Sequence, residues 1–234
     1  MEQSFILLKG ARQTLAKTVD QGKVRTPAKK RTNVYVDGFN LYYGCLKGTP
    51  YRWLDIHALC TKLLPKSSIN RIRYFTALVQ PRPGDPDQAQ RQQTYLRALR
   101  AVTPNLTVHE GKFLSSQVRA SVVTPPPQTI LVHKTEEKGS DVNLAAYLLV
   151  DAFDKEYEAA AVISNDTDLI TPITMVRDKF KRPVVVINPH PNISWPMRNA
   201  ASAYKPIRAG VLAASQLPDR LKDAHGTITK PPGW

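Results

Sequence analysis

"AAAVISNDTDLITPI" (159–173) joins three patterns in one short stretch. Ala159 to Ile163 is an unbroken apolar run, short enough for a strand and without the polar alternation of a half-exposed one. A polar turn carrying Asp166 and Asp168 follows it. Leu169, Ile173, Val176 and Phe180 then recur at the spacing of one helix face. A strand that is apolar on both faces needs helices above and below it, as in a mostly parallel α/β sheet. The same stretch poses a problem, because it sets two carboxylates at the end of a buried strand in a chain that carries 33 Lys and Arg.

The grammar repeats to either side. Val34-Tyr35-Val36 reads as a buried strand followed by Asp37-Gly38-Phe39-Asn40, and "PVVVIN" (183–188) as a final strand. Helices are predicted over 55–64 and 87–101, with a strand over 71–79 between them. Residues 106–114 and 118–133 are predicted to pair as strands around the loop "TPPPQ". A helix over 141–153 is predicted to lay the apolar residues at 142, 145, 146, 149, 150 and 153 on the core. The expected architecture is a central, mostly parallel sheet covered on both sides.

A length of 234 residues fits one domain with appendages. The 19 prolines cluster at 81–86, 125–127, 183–196 and 231–232, where loops are expected. Residues 1–31 read as a basic N-terminal extension with eight basic and two acidic residues; an arm, a disordered segment, an expression remnant or a short helix over 5–19 all fit it. From 32 the patterned domain runs to the end, with a C-terminal tail from about 212. The formal charge of +14 favours a polyanionic partner, most often nucleic acid. Cys45 and Cys60 have neither metal nor redox spacing and read as structural thiols of a reduced, cytoplasmic protein. No apolar run approaches a membrane span, so no membrane partner is expected.

Asp37, Asp141, Asp166 and Asp168 each follow or open a core element, so a parallel sheet would aim them into one cleft beyond its strand ends. Singly, Asp141 and Asp168 are equally well read as helix-capping acids, and Asp37 as a turn acid before Gly38; Asp166 comes too early to cap well. Together they would raise one another's pKa unless a cation lay among them. Mg²⁺ or Mn²⁺ answers that need, since such ions take oxygen ligands, activate water and meet substrate phosphate.

In this order of motifs the chain resembles the NYN domain family, a branch of the PIN-like ribonuclease fold. The stretches that carry the resemblance are "VYVDGFNLYYG" (34–44), "YFTA" with "RQQTYLRAL" (74–99), "EEKGSDVNLAAYLLVDA" (136–152), "AVISNDTDLITPI" (161–173), "RNAASAYKPI...LAASQLPD" (198–219) and the closing "ITKPPGW". The resemblance implies a three-layer α/β/α sandwich, Rossmann-like in its central sheet, and metal-dependent RNA cleavage. It implies Asp37, Asp141, Asp166 and Asp168 as the catalytic, metal-binding acids, with Asn40 and Ser164 as supporting polar groups.

Other residues carry weaker signals. Lys138, three before Asp141, is read equally as a phosphate contact or a solvated lysine; Arg198 as a nucleotide contact or, more plainly, a solvated helix face. Glu136 and Glu137 read as loop residues. Trp53, Trp195 and Trp234 read as packing residues, and the five histidines are scattered without ligand spacing. The leading expectation is therefore a metal-dependent endoribonuclease with RNA as partner; the metal chemistry leaves DNA open, and the sequence leaves a homodimer open. The alternative is a regulatory RNA-binding protein with little turnover. A haloacid-dehalogenase-type use of Asp166-Thr167-Asp168 is disfavoured, because the pair comes late and Ile170 stands where Thr or Val is needed.

Overall fold

The computed structural model describes residues 28–126 and 128–234. The reading of residues 1–27 as part of an extension falls outside them. β1 (Lys30–Asp37) begins two residues inside the segment assigned to that extension. It is followed by the short α1 (Gly38–Leu41), a π-helical turn (Tyr42–Leu46) and α2 (Ile56–Leu63). Then come β2 (Ser67–Ala77), α3 (Gln88–Val102), β3 (Leu106–Val122), β4 (Gln128–Lys138) and α4 (Ser140–Phe153). The second half holds β5 (Ala159–Ile163), a 3-10 turn (Thr167–Leu169), α5 (Ile170–Asp178), β6 (Val184–Asn188), α6 (Trp195–Ala200) and β7 (Ala203–Pro206). It closes with α7 (Ala209–Ala213) and the hairpin of β8 (Arg220–Asp223) and β9 (Gly226–Thr229).

The seven-stranded sheet has the order β4-β3-β2-β1-β5-β6-β7, parallel throughout except for the antiparallel β3–β4 edge. Alternation along β1 divides the core in two. Val34 and Val36 join Leu59, Leu96 and Leu99 on the face covered by α2 and α3, while Tyr35 joins Leu144, Leu148 and Ile173 on the face covered by α4 and α5. This is the three-layer α/β architecture expected from the apolar runs. The stretch read as a tail from about 212 packs on the first face through Leu212, Leu217 and Ile228. Trp234 closes it, with its ring 5.7 Å from Tyr95 and 6.3 Å from Trp53. Among the described residues no helix is long and apolar enough to cross a membrane.

Two expectations about elements are corrected. The predicted break near 114–118 does not occur: β3 runs unbroken to Val122, and β4 extends to Lys138, each pairing residue for residue with the other from Lys112↔Lys138 to Val122↔Gln128. Glu136 and Glu137 are thus strand residues, not loop residues, because cross-strand pairing continues up to the start of α4. The second correction concerns the rotation of α4. Its buried side is Leu144, Leu148, Asp151 and Ala152, whereas Val142 (73 % exposed), Val150 (51 %) and Phe153 (73 %) face outward.

The cause of that rotation is an ion pair. Arg73 on β2 donates to both Asp151 oxygens, from Nε and from one Nη, each at 2.8 Å. The Tyr35 hydroxyl donates to the same carboxylate at 2.7 Å. A buried carboxylate left without these donors would be very costly, so α4 turns Asp151 to the sheet and gives up the burial of Val150 and Phe153. With Asp151 fixed near its C-terminal end, α4 presents its first turn, and Asp141, at the carboxyl edge of the sheet.

Candidate functional site

Register places the first two acids. β1 and β5 are parallel with Val36 opposite Ile163, so Asp37 and Ser164 leave the sheet as neighbours at its carboxyl edge. That edge is where open parallel sheets bind ligands. The Ser164 hydroxyl donates to Asp37 Oδ2 at 3.0 Å and accepts from the Asp166 N–H at 3.0 Å. Asp37 Oδ1 accepts from the Asn40 N–H at 2.9 Å, which caps α1. Asn40 Oδ1 accepts from the Asn165 N–H at 2.9 Å. Asn40 and Ser164 therefore tie α1 to the loop after β5, and orient Asp37 between them.

Gly38 is required at this junction: an added Cβ would come within 2.8 Å of the Phe75 carbonyl oxygen and 2.9 Å of the Tyr74 ring. Asp166 does cap, contrary to expectation. Its Oδ1 accepts from the Asp168 N–H at 2.9 Å, because a 3-10 turn starting at Thr167 precedes the helix. Asp168 stands exposed within that turn and does not cap α5, which begins at Ile170 without a side-chain cap. Asp141 lies in the first turn of α4, after Gly139 at φ 101° in the N-cap position, and makes no cap bond of its own. An acid there also gains from the helix dipole.

A fifth carboxylate joins them. Glu137, near the end of β4, accepts through Oε1 from the Ser140 N–H at 3.1 Å and from the Ser140 hydroxyl at 2.6 Å. An added Cβ on Gly111 of β3 would overlap that carboxylate, so glycine there makes room for it. The available signal was the cross-strand pairing of the hairpin, which brings Glu137 opposite Phe113 and hence to the root of the arm.

Asp37 and Asp141 feel the neighbouring charges. Burial raises the Asp37 pKa to about 6; the Asn40 N–H and the Ser164 hydroxyl oppose the rise, and the charges of Asp141 and Asp166 add to it. Burial also raises the Asp141 carboxyl, followed by the charges of Asp166, Glu137 and Asp168. Among the described residues none of these five acids forms an ion pair with Lys or Arg. Nor do three His, Cys, Asp or Glu side chains converge there into a ready-made metal cage. The donor set still suits a hard, hydrated cation. Mg²⁺ keeps several of its waters and takes only one or two carboxylates directly, and an all-oxygen field around a buried Asp37 that no Lys or Arg pairs supplies both the ligands and the unbalanced charge.

The other two candidates lie apart from this field. Lys138 pairs with Glu136 at 3.2 Å, and it alternates with Glu137 along β4, so the two project to opposite faces of the arm. Arg198 on α6 lies over the exposed Trp195 ring at 5.0 Å and lines a shallow recess with Asn188 and Tyr204. The Tyr204 hydroxyl of that recess donates to Asn165 Oδ1 at 3.4 Å, in the loop after β5. On the other side of Gly38 lies a cavity of about 210 Å³, walled by aromatic rings and arginines. It was not foreseen from the sequence.

A nuclease-like α/β fold with an acidic carboxyl edge is the class these features define. The chain belongs to the NYN domain family, whose model matches residues 31–208. It is similar to the 6-hydroxy-3-succinoylpyridine 3-monooxygenase HspA of Pseudomonas putida, 31 % identical over 238 aligned positions that cover 87 % of this chain and 75 % of that protein. A crystal structure of a protein of unknown function from Vibrio parahaemolyticus superposes with a TM-score of 0.51 at 16 % identity, covering 79 % of this chain and 97 % of that one. That likeness concerns the fold alone.

Proposed function

We propose that this protein is a metal-dependent endoribonuclease that hydrolyses RNA phosphodiester bonds with Mg²⁺ or Mn²⁺ held by Asp37, Asp141, Asp166 and Asp168. One observation carries the reading: carboxylates remote in sequence share one end of the sheet and have no Lys or Arg partner among the described residues, and burial together with the neighbouring charges raises the pKa of Asp37 and Asp141. When bound, the cation supplies Lewis-acid stabilisation of phosphate charge and an acidified water.

The chain's own residues supply orientation. Asn40 and Ser164 fix both oxygens of Asp37, and Ser164 passes that order to the Asp166 backbone. Asp37, with a pKa of about 6, is ionised at neutral pH and ready to accept a cation. Glu137 holds Ser140, and so the first turn of α4 that carries Asp141. Hydrolysis of this kind leaves a 5′-phosphate and a 3′-hydroxyl.

The test incubates the protein with mixed RNAs and Mn²⁺, with and without EDTA, beside Asp141→Asn. Cleavage that requires the ion and is abolished in the variant, with unchanged circular dichroism, is the expected outcome. Full activity of Asp141→Asn defeats the metal-site argument. Binding that persists in EDTA, with no cleavage when Mn²⁺ is restored, supports instead a regulatory RNA-binding protein.

A second reading is favoured by a different observation. The Pseudomonas putida relative is by name an oxygenase of a pyridine compound, and the cavity beside Gly38 is walled by Phe39, Tyr42, Tyr43 and Phe113. On this reading one oxygen atom of O₂ becomes a hydroxyl on the pyridine compound and the other leaves as water, with two protons and two electrons from a reduced nicotinamide. Mass-spectrometric detection of a hydroxylated product from 6-hydroxy-3-succinoylpyridine, O₂ and a reductant tests it; no such product with active RNA cleavage leaves the nuclease reading alone.

A further inference from the structure

The cavity beyond Gly38 has no part in the nuclease reading as given above, yet it adjoins the acidic edge. Gly38, which follows Asp37 directly, forms part of its wall, and Tyr74 in the same wall feels the Asp37 charge. Phe113 lines it too, and Phe113 is the cross-strand partner of Glu137. A group in the cavity therefore lies one short step from whatever the acids hold.

Its chemistry is specific in three ways. Phe39 and Tyr43 are near-parallel, at 24° and 6.5 Å, and Phe113 meets Phe39 edge-on at 5.7 Å, so the mouth is built of ring faces and edges. Tyr43 is 54 % exposed, which leaves most of its ring open to a ligand. Tyr74 also lines the cavity, only 6 % exposed, and its hydroxyl is the polar group a ligand there would meet. On the outer rim stand Arg52, Arg82 and Arg91, against the single acid Asp85, which Arg91 pairs at 2.5 Å. Two positive charges remain uncompensated on the rim.

A volume of about 210 Å³ is below the ~300–1,000 Å³ of sites that enclose drug-sized molecules and suits a single planar ring system. We propose that this cavity receives one unpaired nucleobase of the substrate strand, next to the phosphate held at the acidic edge. The base stacks on Tyr43 and Phe39, its edge meets the Tyr74 hydroxyl, and the next phosphate along the strand meets Arg52 and Arg82. A base in a duplex cannot enter, because its edge is paired and its faces are stacked. The enzyme therefore selects single-stranded segments, loops or ends. This rests on the nuclease reading for the identity of the polymer, and on the cavity alone for the single-strand requirement.

The test is fluorescence anisotropy in EDTA, where cleavage cannot occur, with a labelled single-stranded oligoribonucleotide and the same sequence as a duplex. Removing a stacking platform costs roughly five- to a hundredfold in affinity per base. Tyr43→Ala and Arg82→Ala, both altering exposed side chains, are each expected to weaken single-strand binding at least fivefold and leave duplex binding unchanged. Single-strand affinity unaltered in both variants overturns the proposal, whether or not the parent protein cleaves RNA. Equal binding of duplex and single strand by the parent protein also overturns it. So does competition by a small aromatic acid such as nicotinate when Tyr43→Ala leaves RNA affinity intact, since the cavity is then a small-molecule site. Loss of single-strand binding in the variants, in a protein that never cleaves with Mn²⁺, supports the base pocket while rejecting the nuclease reading.

Discussion

Asp37 is 5 % exposed and carries a carboxyl whose pKa is raised to about 6, against an ordinary value near 4. The folded state therefore binds this proton more tightly than the unfolded chain does. Its contribution to stability is fully present below about pH 4, is lost as pH rises through about 6, and is level above that. Asp37→Asn keeps an oxygen for the Asn40 N–H and removes the buried charge. In EDTA it is expected to raise neutral-pH stability by on the order of 1–3 kcal/mol and to flatten the slope between about pH 4 and 6, as read by urea denaturation. A variant less stable than the parent at neutral pH contradicts that account. The placing of Asp37, Asp141, Asp166 and Asp168 around the carboxyl edge of the sheet was legible in the sequence because each stands where an apolar pattern starts or stops. Glu137 was not, because its place depends on strand pairing across a hairpin whose length the composition does not set. The capping by Asp166 was missed because a single 3-10 turn leaves no periodic trace.

At the level of elements, strands and helices followed from apolar spacing, yet the rotation of α4 did not. Periodicity counts apolar residues and is blind to Asp151, whose pairing with Arg73 and Tyr35 decides which side turns inward. The consequence is measurable. Leu148→Ala should cost about 2–5 kcal/mol in urea denaturation, as for a fully buried leucine, and Val150→Ala less than about 0.5 kcal/mol. Comparable losses in the two variants contradict the observed rotation. Arg73→Met strands Asp151 in the core and is expected to cost about 3–5 kcal/mol. Because that pair also sets the azimuth of the turn bearing Asp141, the proposed RNA cleavage should fall in Arg73→Met even at temperatures where it remains folded.

Taken as a whole, the molecule combines a formal charge of +14 with an acidic notch at one edge of its sheet. On the proposed function, attraction of a polyanion and capture of its phosphate belong to different surfaces. Binding to single-stranded RNA in EDTA should weaken with added salt, log Kobs falling with log[salt] by about 0.7 per phosphate neutralised. A slope near zero contradicts electrostatic attraction of the strand. One feature links the separate parts. The β3–β4 arm carries Phe113 and Glu137 as a facing pair at its root, one ring for the cavity and one carboxylate beside Asp141. If the proposed base pocket and metal site are right, displacing the distal arm would move both at once, and a molecule clasping its tip would detune base gripping and phosphate chemistry together.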